Sequence, residues 1–220
     1  LARYFNESTL TGSEVLTAYL LDVAQATGWA IPEAARQKML AGLQRAWTQA
    51  DPLDWQPWRT PVSNTARQLA LQATLATQGH LRSMEAIRFR PEDLNQLPTL
   101  ALVDWARTLL ALPSTPDSTT ALQQAAIQLR SRYDVQGTRL NWRSDDRDHW
   151  WWWMWNGDVA MARSVVLVQQ WQQRDASWQA DLPLLIQGLI GRQQQGRWGT
   201  TVANVWGTLA LQSFAASTEA

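Results

Sequence analysis

The residues best equipped for chemistry lie in one run, Arg143-Ser144-Asp145-Asp146-Arg147-Asp148-His149-Trp150-Trp151-Trp152-Trp153-Met154-Trp155. Six of the fifteen tryptophans fall between Trp142 and Trp155. Three uses compete for this run. Asp145, Asp146 and Asp148 could share a Mg2+ ion and through it bind a diphosphate, because several carboxylates satisfy a hard cation. Against that, Asp-Asp-Arg-Asp is not the usual spacing, and no second carboxylate-rich motif accompanies it. A second use is carbohydrate chemistry, with tryptophans as platforms and two carboxyl groups at a fixed separation, one with a raised pKa. The third is structural: a loop crossing one end of a helical domain must bury aromatics to be ordered, and tryptophan supplies much area per residue. The alternating run could then form a short hairpin with 137–142, one face buried and the other exposed. Structure is the preferred reading. Its functional variant makes Asp148, Trp150, Trp151, Trp152, Trp153 and Trp155 a candidate partner surface.

Elsewhere the chain offers little catalytic equipment. His80 and His149 are the only histidines, and no Ser-His-Asp or metal-ligand spacing emerges around them. Gly196–Gly199 superficially suggests a phosphate loop but lacks the following Lys-Ser/Thr and a preceding strand. Trp198 and Trp206 read as core. Cysteine is absent, which excludes a disulfide framework, a Cys-ligated metal and a Cys nucleophile within this chain. Nineteen basic and nineteen acidic residues cancel, so bulk charge favours neither nucleic acid nor a membrane surface. No apolar run approaches the roughly 20 residues needed to span a bilayer. Neither a catalytic residue nor a cofactor is assigned.

Helical punctuation organises the rest. Ser13 to Thr27 reads as a helix with Val15, Leu16, Tyr19, Leu20 and Val23 as its apolar stripe, closed by Gly28. Pro32 and Glu33 open a second, amphipathic helix with Ala35, Met39, Leu43, Ala46 and Trp47 on one face. Small-residue helices follow near Ser63–Gln78 and from Pro98 to Pro113, with a further helix around Ser83–Phe89. Ser118 or Thr119 can cap the next, which runs to about Tyr133. Asp158 opens another to about Gln173, and Asp181 caps one carrying Leu184, Leu185, Leu189 and Ile190. The last helix starts at Thr200 or Thr201. Val202, Val205, Trp206 and Leu209 form one stripe on it, and Ala203, Gly207, Ala210 and Phe214 form a second. A helix apolar on most sides is expected to be an inner one. Small-residue helices alternating with amphipathic ones make a degenerate helical-hairpin repeat, the pattern of a solenoid or an α/α toroid.

Two motifs in this frame carry a family resemblance. Gly196-Arg197-Trp198-Gly199-Thr200-Thr201-Val202-Ala203-Asn204-Val205-Trp206 resembles the last helical repeat of the thioester domain of bacterial α2-macroglobulins. Leu16-Thr17-Ala18-Tyr19-Leu20-Leu21-Asp22 is similar to that family's "Leu-Thr-Ala-Tyr-x-x-Asp" helix, and Gly28-Trp29-Ala30-Ile31-Pro32 to the link that follows it. The resemblance implies an all-α domain over residues 1–220, an α/α toroid of the terpenoid cyclase kind. It further implies a cell-envelope protein facing the periplasm that works as a broad protease trap. The partners implied are other domains of the same polypeptide and target proteases reached through the full-length protein. The family's Cys-x-Glu-Gln thioester signature is not in this chain. It is expected upstream in a longer polypeptide, or the parent belongs to the members that lack it. The alternative is a toroid carbohydrate-active enzyme using Asp145–Asp148 and Trp150–Trp155.

Overall fold

A computed structural model describes residues 1–3, 12–49, 61–143 and 154–218. The described chain is mostly helical, with one two-stranded antiparallel hairpin. It divides into two compact units, Leu1–Leu97 with Arg107–Ala121, and Pro98–Ala106 with Leu122–Ala220.

In the first unit, α1 (Glu14–Thr27) starts where Ser13 accepts the Leu16 N–H at 3.2 Å, and it stops at Gly28, whose φ of 68° suits a residue without Cβ. Its buried face is not the apolar stripe expected from the sequence. Thr17, Ala18, Leu21, Asp22 and Ala24 are buried, while Val15, Leu16, Tyr19, Leu20 and Val23 are only half-buried. Thr17 and Asp22 each find a polar partner inside the fold, which permits this arrangement. Thr17 Oγ1 donates to Ser13 O at 2.5 Å and accepts the Ala2 N–H at 2.7 Å. Asp22 pairs with Arg107 at 2.9 Å.

Helix α2 (Glu33–Thr48) is amphipathic as expected, but its buried line runs through Leu40, Gly42, Leu43 and Trp47, and Ala35 is exposed. Helix α3 (Pro61–Thr77) is buried around most of its circumference, from Ser63 and Ala66 to Ala76. Its Arg67, 4% exposed, pairs with the Glu14 carboxylate. Gly79 adopts φ 76°, and the His80 N–H closes the helix on Leu75 O at 2.9 Å, so exposed His80 is a cap residue. The helix expected over 83–89 shrinks to one 3-10 turn, Met84–Ala86. Gln72 explains this: its side chain donates to Phe89 O at 3.1 Å and accepts the Phe89 N–H at 3.2 Å, withdrawing both groups from a helix.

Helices α4 (Thr99–Ala111) and α5 (Pro116–Ser131) contribute residues to both units. Thr115, rather than Ser118 or Thr119, caps α5. Its Oγ1 accepts the Ser118 N–H at 3.2 Å while Ser118 Oγ accepts the Thr115 N–H at 2.8 Å, with Pro116 at the first helical position.

In the second unit, α4 is buried at every position from Leu100 to Ala106. Strands β1 (Tyr133–Gln136) and β2 (Arg139–Trp142) pair through a turn at Gly137, φ 62°. Residues 139–142 pair with Tyr133–Gln136, and Tyr133 packs on Trp142 with ring centroids 4.7 Å apart; the hairpin expected between 137–142 and the tryptophan run falls on residues outside the described ones. Helix α6 (Gly157–Trp171) is capped by Asn156, which accepts the Val159 N–H at 2.9 Å, and is buried from Val159 to Val165 without a break. Helix α7 (Asp181–Gly191) packs on β2 and α6, with Asp181 as its first residue rather than its cap. Helix α8 (Thr201–Thr218) packs on α6, and its buried residues Ala203, Trp206, Gly207 and Ala210 lie on one side. The expected all-round burial of α8 is thus corrected: its small residues let α6 come close, and the Val202, Val205 and Leu209 stripe is half-buried.

Tyr133 yields a pH prediction. Burial first, and Asp181 second, push its phenol well above the ordinary value of 10.0, and its hydroxyl has no hydrogen-bond partner among the described residues. A raised folded-state pKa means stability that is complete below pH ~10 and falls as pH rises beyond it. Tyr133→Phe should leave stability at pH 7 within about 1 kcal/mol, since it removes an unpartnered polar group. It should also flatten the alkaline decline in urea unfolding measured from pH 8 to 11.

Candidate functional site

Asp145, Asp146, Asp148, His149, Trp150, Trp151, Trp152 and Trp153 lie outside the described residues. Trp155 is described, and it is core: 5% exposed, one residue before the Asn156 cap of α6. Its place in the candidate partner surface is therefore corrected, because an indole inside the fold offers no face to a partner. Among the described residues, no group of three or more His, Cys, Asp or Glu could hold a metal ion.

The 196–207 motif folds into a clamp. Gln195 and Gly196 both adopt positive φ, 54° and 78°, making a tight turn in which Gln194 N–H donates to Arg197 O at 2.8 Å. The turn delivers Trp198 into the core, 4% exposed, where its indole N–H donates to Leu189 O at 2.9 Å. Asn204 holds the backbone of the same tryptophan. Its Oδ1 accepts Trp198 N–H at 3.1 Å and its Nδ2 donates to Trp198 O at 2.8 Å. Gly207 lies under the ring, where a Cβ would stand 2.5–2.7 Å from three indole carbons. Thr200 caps α8 by accepting the Ala203 N–H at 3.2 Å, and Asp158 accepts the Gly199 N–H at 3.2 Å while binding Arg192 at 2.7 Å. Trp206 is also core, 5% exposed, with the Arg163 guanidinium 5.6 Å from its ring centre and bound to the Asp104 carboxylate. Trp198 and Trp206 are packing residues, as their spacing indicated.

The first motif ends differently. Gly28 turns the chain so that Trp29 stands 63% exposed beside a groove of about 300 Å3. Leu21, Ile31, Gln25, Arg36 and Gln78 line it with Trp29. A polar relay runs along the groove: Arg36 Nη2 donates to Gln78 Oε1 at 2.8 Å, Gln78 Nε2 to Gln25 Oε1 at 2.7 Å, and Gln25 Nε2 to Thr77 O at 3.1 Å. Pattern reasoning passed over this groove. The available signal was a tryptophan directly after a helix-ending glycine and on no apolar stripe.

The clamp predicts that Gly207→Ala destabilises the chain by about 1–3 kcal/mol, since the rigid indole cannot yield without leaving Leu189 O. Chemical denaturation measures this, and Thr208→Ala, at an exposed neighbour on α8, should be close to neutral. No protein-family model, curated protein or solved structure matches the chain.

Proposed function

We propose that this chain is a non-catalytic structural and docking module of a bacterial α2-macroglobulin-like protease trap, residues 1–220 forming one α/α toroid within a larger periplasmic or cell-envelope protein. One observation carries the reading. The two motifs behind the resemblance use their distinctive residues for packing: Trp198, Asn204, Trp206 and Gly207 build the clamp, and Thr17 and Asp22 anchor α1. Side chains committed in this way support a packing role for these residues rather than a catalytic one. The helices α3 and α6 and the 100–106 stretch of α4, each buried nearly all round, are what inner helices of a toroid would be.

Among the described residues, no helix is long and apolar enough to cross a membrane. The carbohydrate-enzyme alternative has no observation in its favour, because Asp145–Asp148 and Trp150–Trp153 lie outside the described residues and Trp155 is buried.

The test uses the full-length parent protein mixed in excess with a broad-specificity serine protease. Trapping predicts that cleavage of a large protein substrate falls severalfold while hydrolysis of a small peptide substrate persists. Methylamine pretreatment should matter only if Cys-x-Glu-Gln stands upstream of Leu1. Unchanged cleavage of the protein substrate would refute the reading.

A further inference from the structure

We infer that the groove beside Trp29 binds the free carboxyl terminus of a peptide that ends in an apolar residue. The inference stands on the groove's own geometry and does not depend on the protease-trap reading. Its volume of about 300 Å3 lies at the small end of ligand sites, which run from roughly 300 to 1,000 Å3, so it takes the last one or two residues of a chain.

The polar groups select the ligand. Both lining side-chain amide oxygens are already engaged, Gln25 Oε1 by Gln78 and Gln78 Oε1 by Arg36. What the side chains still offer are donors. Arg36 uses Nη2 on Gln78, while its Nη1 is 3.9 Å from Glu33, beyond hydrogen-bond range. Glu33 is 68% exposed and its other oxygen is held by Gln37 at 2.5 Å, so it competes weakly for Arg36. A guanidinium with unused N–H groups favours an anionic oxygen pair, and a carboxylate matches its fork. A neutral sugar would leave the guanidinium without an anionic partner, whereas a carboxylate supplies one.

The apolar half of the groove supplies the rest. Trp29, Leu21 and Ile31 are among the lining residues, and Trp29 is among the most exposed large apolar side chains of the described chain. An aliphatic or aromatic terminal side chain laid on that indole would remove the exposed surface from water. Gly28 makes the turn that precedes Trp29, with a φ of 68° that suits glycine.

The test is isothermal titration calorimetry of the 220-residue chain with N-acetyl-leucyl-leucine as the free acid, with its C-terminal amide, and with a neutral disaccharide. The expected result is saturable binding of the acid, at least about tenfold weaker binding of the amide because a charge-assisted bond is lost, and none of the disaccharide. Arg36→Gln should erase the difference between acid and amide, and Trp29→Ala should weaken both. Circular dichroism and urea unfolding check that these variants stay folded. Equal binding of acid and amide, absence of acid binding, preference for the disaccharide, or indifference to Arg36→Gln would each overturn the proposal.

Discussion

A guanidinium buried between a carboxylate and an indole sets the terms for the second unit. Asp104 on α4 is fully buried, Arg163 on α6 is nearly so, and Trp206 on α8 lies against Arg163. A charge taken out of water must find its counter-charge inside the fold. The pair therefore ties α4 to α6, and Trp206 brings α8 against it. The first unit repeats the device twice, with Arg67 on Glu14 and Arg107 on Asp22. A chain with no net charge thus keeps several of its charges as internal fasteners.

That choice decides what pattern reading could see. Helix ends are local events, so Ser13 and Gly28 marked the real boundaries of α1, and the end expected for α3 at Gln78 falls within one residue of Thr77. Which face turns inward is not local. Asp22 and Thr17 point into the core of α1 because Arg107, Ser13 and Ala2 meet them there, and a hydrophobic stripe cannot announce a partner 85 residues away. Helix α8 misled in the opposite direction. Its two apolar stripes suggested burial on most sides, yet only the small-residue side with Trp206 is covered. The 3-10 turn at Met84–Ala86 depends on a glutamine on α3, equally invisible to periodicity.

The same division separates the two kinds of functional residue. Asn204 and Gly207 had readable spacing, and the clamp explains why their types are needed: an amide to grip the Trp198 backbone, and a missing Cβ to admit its ring. The Trp29 groove had almost none, because it is assembled from α1, its turn, α2 and the end of α3. The Trp150–Trp153 run had the loudest signal and lies outside the described residues, so the site at hand is the quieter one. Commitment to packing unites the clamp residues with the buried ion pairs.

The most direct measurement of that commitment is a double-mutant cycle on Asp104 and Arg163. Asp104→Leu alone and Arg163→Met alone should each cost about 3–5 kcal/mol of unfolding free energy, since each strands a buried charge. The double variant should return to within about 1 kcal/mol of the parent, giving a large favourable coupling. Near-neutral single variants, or costs that simply add, would contradict the account, because these charges would then be free for some other task.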